Sequence, residues 1–184
     1  MALQFENSFE VALPPAQAWL VLLDIPRIAK CLPGATLTEI VDAKTYRGSV
    51  NVKVGPVALT FAGTANFEEI DEAARTVRVK GAGAEGKGRG RASAEFVIRL
   101  EPVGDSATKV IAKSDVTLSG AVAQYGRGVG VMKAVADEII ARFARNLEQE
   151  IAGGGVDASD ATSVSAASVL WGAAKRSFKK EGSD

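Results

Sequence analysis

QYGRGVGVMKAVADEIIARFARNLEQEI, residues 124–151, is where the character of this chain changes. Tyr125, Val129, Met132, Ala136, Ile139, Phe143, Leu147 and Ile151 recur every three or four positions, which lays one apolar stripe along a helix. The spacing predicts a single amphipathic helix of roughly 27 residues. Gly153-Gly154-Gly155 terminates it and acts as a hinge. Upstream the period is two. From Ala35 to Gly120 the chain reads as strands at about 35–42, 45–54, 56–70, 76–84, 90–102 and 107–120. Their joins are short, at Asp42-Ala43-Lys44, Gly55-Pro56, Asp71-Glu72 and Gly104-Asp105, so successive strands are antiparallel neighbours.

Alternation also runs from Leu3 to Leu13 and stops at Pro14-Pro15, residues suited to a first helical turn. Ala16, Trp19, Leu20 and Leu23 follow at helical spacing, and a second short helix over Pro26 to Cys31 ends at Pro33-Gly34. The order is therefore strand, two short helices, six strands, one long helix. This α+β arrangement resembles the helix-grip fold of the START and Bet v 1-like superfamily, in which a curved antiparallel sheet of about seven strands wraps a long C-terminal helix. The resemblance covers residues 1–151 and implies a cavity between sheet and helix.

Composition is that of a soluble globular chain: of 184 residues 47% are apolar and 24% charged, and the formal net charge is zero. A balanced charge gives no reason to expect a nucleic-acid partner. One cysteine, Cys31, permits neither an intrachain disulfide nor a cysteine zinc site, and fits a reducing compartment. The N-terminal residues lack the basic-then-apolar pattern of a secretory signal, and no run approaches the roughly 18 to 20 apolar residues of a membrane span. There is no histidine, which removes Ser-His and Cys-His catalysis and the commonest metal ligand. No catalytic or metal-binding residue is assigned.

Placing Val50, Phe61, Phe96 and Val116 inward puts Gly48, Gly63, Ala65, Ala92, Ala94, Ala112 and Ser114 on the same faces. So many small residues leave either a sheet pressed close to its helix or an empty volume; because so long a sheet has too few bulky residues to fill its span, an apolar cavity is the reading taken. Its candidate lining is Val50, Phe61, Phe96, Ser114, Val116, Tyr125, Val129 and Met132, with Tyr46, Ser114 and Tyr125 the few polar groups available to orient a ligand. GAGAEG, residues 81–86, satisfies G-x-G-x-x-G, but strands on both sides deny it the helix N-terminus that dinucleotide binding needs. With the residues after it, it reads as a flexible hairpin tip, with Lys87, Arg89 and Arg91 either solvated or touching a charged partner. Gly126, Gly128 and Gly130 weaken the start of the long helix, read either as a poor first turn or as a pliable lid at the cavity mouth.

Residues 152–163 read as a flexible linker with a reach of roughly 20 Å. Beyond it, residues 164–184 form an amphipathic basic segment: Val164, Ala167, Leu170, Trp171, Ala174 and Phe178 gather on one side, and Lys175, Arg176, Lys179 and Lys180 border it. Leu170, Trp171, Lys175, Arg176, Phe178, Lys179 and Lys180 are the candidate membrane contacts of an interfacial helix; docking on a protein is the other reading.

DIPRIAKCLPGA, residues 24–35, SVNVKVG, residues 49–55, and Phe61-Ala62-Gly63 resemble the carbon monoxide dehydrogenase G-subunit family, with Asp24, Pro26, Leu32, Pro33 and Gly34 carrying the match. That resemblance implies a non-catalytic accessory of a molybdenum hydroxylase of the carbon monoxide dehydrogenase type, cytoplasmic and peripheral on the inner face of the cell membrane. Joined to the expected cavity, it predicts a carrier for a lipophilic small molecule, a respiratory quinone such as menaquinone or ubiquinone, with no metal or covalent cofactor. A pure recruitment adaptor without ligand is the alternative, and a polyketide cyclase-like enzyme a further one.

Overall fold

The computed structural model describes residues 2–153. Strand β1, Ala2–Val11, leads through helices α1, Pro15–Leu23, and α2, Ile25–Cys31, into six strands. These are β2, Ala35–Ile40; β3, Thr45–Val54; β4, Val57–Asp71; β5, Thr76–Glu85; β6, Gly90–Val103; and β7, Ala107–Gly120. A 3-10 segment, Ala121–Arg127, and helix α3, Val129–Ile151, complete the described chain. The strands form one seven-stranded antiparallel sheet in the order β1-β7-β6-β5-β4-β3-β2. Short joins force each strand from β3 to β7 beside its predecessor, and β1 closes onto β7. The helix-grip expectation is met, with strand limits within two residues of those predicted.

Local chemistry sets the joints. Pro15 occupies the first turn of α1, and the Asp24 carboxylate accepts from the Arg27 backbone amide at 3.3 Å, capping α2. Gly34 turns the chain from α2 into the sheet at φ +76°, and a Cβ there would drive into the Asn51 carbonyl oxygen. Register shifts at Leu37/Glu39 and Phe67/Glu69 are bulges that help β2 and β4 bend.

The expected 27-residue helix is divided. Its first part is the 3-10 segment, Gly128 interrupts, and α3 proper has 23 residues. Three glycines in five positions remove the side-chain contacts that hold a first α-turn, so the tighter 3-10 path wins there.

Buried side chains form two clusters. One gathers Val11, Trp19, Cys31, Val79, Leu100, Val110 and Leu147, between α1, α2, the sheet and the C-terminal half of α3. The other gathers Leu3, Val54, Leu59, Leu118 and Val122, with Met132 and Tyr125 packed against it, under the 3-10 segment. Polar ties fix α3 to the first cluster. Asn146, buried, donates through Nδ2 to the Cys31 carbonyl at 2.9 Å, and Arg27 pairs with Glu150 at 3.2 Å. Asn7 donates to Asp137 at 2.7 Å, and Phe9 meets Phe143 edge-on with ring centroids 5.6 Å apart. Burial pushes the Asp137 carboxyl up, but hydrogen bonds from Lys133 and Asn7 outweigh it and hold the group below its ordinary range.

Candidate functional site

Strand register places the expected lining. Val50 lies opposite Phe61, and Phe61 opposite Glu85. The next inward row runs Gly48, Gly63, Gly83, Ala92, Leu118. The row after it runs Tyr46, Ala65, Gly81, Ala94, Val116, Leu3, and the one beyond it Phe67, Val79, Phe96, Ser114, Phe5. Val50, Phe61, Phe96, Ser114 and Val116 thus share the concave face with the small residues named beside them. Met132 reaches the same region from α3, Tyr125 from the 3-10 segment, and Val129 is the first residue of α3.

This face is only half-buried, and part of it packs against the two clusters, Ala65 and Phe96 against the first and Phe61, Ala92 and Val116 against the second. Gly48, Val50, Phe61, Gly63, Ala65, Gly81, Gly83, Ala92, Ala94, Phe96, Ser114 and Val116 are all intermediate in exposure, although they face the side that carries α3. A core filled to ordinary density would cover them. Helix α3 runs closest to β1, α2 and β3, crossing the sheet, and its Leu147 and Phe143 pack in one cluster with Val79 of β5 and Leu100 of β6. The glycines of the floor differ in purpose. At Gly63 a Cβ would strike the Ala82 carbonyl oxygen, so the close approach of β4 and β5 requires glycine; at Gly81 the nearest atom would be the Thr64 oxygen at 3.8 Å, an ordinary contact, so glycine is not required there.

Polar groups collect at one end of the floor. Glu85, on the same face as Gly81 and Gly83, is 4% exposed. Its carboxylate accepts from the Arg89 guanidinium at 2.8 Å and from the backbone amides of Lys87 at 2.9 Å and Arg89 at 3.2 Å. The Arg89 side-chain bond is the main cause that lowers the Glu85 pKa from 4.5 to about 2; burial opposes it, and the two amides and the Arg89 charge add to it. Arg89 also donates to the Ala58 carbonyl at 2.8 Å, and the Tyr125 hydroxyl interacts with its guanidinium. The expected flexible tip is therefore corrected: GAGAE is the end of β5, the turn is confined to Gly86–Arg89, and Glu85 organises it. The sequence signal was period two running unbroken through Val77, Val79, Gly81, Gly83 and Glu85, obscured because the middle positions carry no side chain.

Other candidates do not converge. The Tyr46 hydroxyl donates to the Ala43 carbonyl at 3.1 Å in an exposed turn, away from the floor. Glu95 lies on the convex face, paired with Arg78 at 2.9 Å, a surface pair that adds little stability. Cys31 is buried; burial, then the Glu150 charge, raise its thiol pKa, which makes it a packing residue. Among the described residues no group of acidic or sulfur side chains is placed to hold a metal, and no helix is long and apolar enough to cross a membrane. Leu170, Trp171, Lys175, Arg176, Phe178, Lys179 and Lys180, with nearly all of the expected linker, lie outside the described residues.

The family model of the carbon monoxide dehydrogenase G-subunit (CoxG) matches residues 8–152. The chain belongs to this family. Among curated proteins none matches it. Solved structures that resemble it include a conserved protein from Geobacillus kaustophilus, 24% identical over 82% of this chain and 96% of that one, with a TM-score of 0.71. The ZhuI aromatase/cyclase from Streptomyces sp. R1128 is 18% identical over 85% and 100%, with a TM-score of 0.57. Norcoclaurine synthase from Thalictrum flavum, in complex with dopamine and hydroxybenzaldehyde, is 14% identical over 85% and 90%, with a TM-score of 0.58. At these identities the likeness establishes a shared fold and not a shared reaction. CoxG membership gives the chain a role associated with carbon monoxide dehydrogenase.

Proposed function

We propose that this CoxG protein is a non-catalytic accessory that carries a long lipophilic molecule, a respiratory quinone, in the space between its concave sheet and α3. In this role it links a molybdenum-containing carbon monoxide dehydrogenase-type enzyme to the cytoplasmic membrane. The observation that carries the reading is the half-buried floor of glycine, alanine and valine beneath a crossing helix. An apolar surface of this extent gains free energy by covering itself with an apolar occupant, at about 25 cal/mol per Å² removed from water. Val50, Phe61, Phe96, Val116 and Met132 supply the walls, and Ser114 and Tyr125 the polar contacts. A redox enzyme in the aqueous phase cannot reach a quinone dissolved in lipid, and a carrier with a dry interior closes that gap. The basic C-terminal segment serves in this reading as the membrane contact, at about 1 kcal/mol per cationic side chain near an anionic surface.

Organic-solvent extraction of the purified full chain, followed by mass spectrometry, should recover a quinone in a defined ratio to protein. Recovery of no lipophile from chain purified without detergent would overturn the carrier reading and leave a recruitment adaptor. Co-sedimentation with liposomes should rise with anionic lipid content and fall with salt; salt-independent or absent binding would remove the membrane half of the proposal.

A further inference from the structure

The geometry points to Arg89 and Tyr125, held by Glu85, as the polar anchor of the hollow, built to accept an uncharged oxygen acceptor such as a ring carbonyl. This inference rests on the carrier reading and extends it to the chemistry of the ligand's head.

Three observations lead there. Glu85 is the inward neighbour of Gly83 and Gly81 along β5, so the polar cluster borders the glycine floor directly. The Arg89 Nε is buried and no described residue accepts its hydrogen, although the same guanidinium donates to Glu85 and to the Ala58 carbonyl. A buried N–H without a partner is costly, and such a group at the edge of a hollow is a donor awaiting an acceptor. Tyr125 brings a hydroxyl to this guanidinium from the 3-10 segment, the part of the chain that lies over this end of the floor. The two donors therefore come from elements far apart in sequence.

Charge selects the ligand class. Glu85 and Arg89 form an internal pair at 2.8 Å, so the anchor is close to neutral and offers little to a carboxylate or phosphate beyond what the pair already satisfies. A carbonyl oxygen brings acceptor capacity without a charge to desolvate. The anchor thus recognises an apolar ring bearing a carbonyl, whose remaining bulk lies over the glycine and alanine floor. Ser114 sits farther along that floor, on the Phe96 row, and plays no part in this anchor.

The test compares 2,3-dimethyl-1,4-naphthoquinone with 2,3-dimethylnaphthalene, the same ring system with and without carbonyls, titrated into delipidated full chain by NMR. The parent protein should bind the quinone about tenfold more tightly than the hydrocarbon, the effect of a hydrogen bond to a charged group. Tyr125→Phe and Arg89→Met should each erase that preference, so that the two probes bind alike. Should Arg89→Met lose its fold, as seen in its amide spectrum, Tyr125→Phe decides. Equal loss for both probes, or a preference that survives in a folded variant, overturns the anchor while leaving the carrier intact. A parent chain that binds neither probe overturns both.

Discussion

The two halves of α3 face different environments on the same sheet. Near α2 the helix is sunk into a filled core: Leu147 and Asn146 are buried, and Arg27, Cys31 and Glu150 tie it down. Toward its start the helix follows a glycine-interrupted 3-10 segment, and the sheet's middle rows carry small residues that stay half-buried. The contrast separates stability from capacity. One end of the helix-grip is tied down by polar bonds as well as packing, whereas the other rests on a smaller cluster around Val122 and a floor of small residues.

The largest expected effect breaks the filled end. Leu147→Ala removes a fully buried side chain where neighbours are pinned from three elements, and should cost about 3 kcal/mol in denaturant-induced unfolding. A loss under about 1 kcal/mol would mean that this end is no better packed than the floor.

A sharper comparison lies between two glycines of the floor itself. Gly63→Ala forces β4 and β5 apart and should destabilise by about 2 kcal/mol, whereas Gly81→Ala meets only ordinary contact and should be neutral or stabilise by about 0.5 kcal/mol. Equal effects in thermal unfolding would show that the floor is uniformly tight or uniformly loose.

The polar end adds a pH signature. Because the folded-state pKa of Glu85 is depressed from 4.5 to about 2, its contribution is complete above the unfolded-state value and is lost as pH falls from about 4.5 toward 2. Glu85→Gln should therefore flatten the acid limb of the stability profile in that window. A parallel limb in the variant would assign acid sensitivity to other carboxylates.

The smallest expected change in stability is also the most informative. Ala94→Trp adds bulk to the half-buried floor, and should alter unfolding free energy by less than about 1 kcal/mol while abolishing recovery of bound lipophile. A collapse in stability would reveal a filled interior.

Much of this was legible in the residue order. Period-two runs with turn residues between them gave strands whose limits lie within two residues of the structure, and the apolar faces predicted for Val50, Phe61, Phe96 and Val116 fall together in register. Hydrophobic alternation and backbone hydrogen bonding are local rules, so a short window contains what they need. Glu85 and Arg89 escaped for the opposite reason. In sequence they are charges in a glycine-rich run, the usual mark of a solvated turn, and only the folded hairpin buries Glu85 and sets the partly exposed Arg89 guanidinium on its carboxylate.

The sequence by itself determined the strand and helix order, the antiparallel meander, the absence of histidine chemistry and the unusual thinness of the inward rows. Tertiary structure alone decided how α3 crosses the sheet, that Gly63 is required while Gly81 is not, and that a carboxylate, a guanidinium and a phenol meet at one end of the floor. The first set follows from forces acting between near neighbours along the chain. The second depends on distances between residues far apart along it, which are fixed only when the whole sheet closes around its helix.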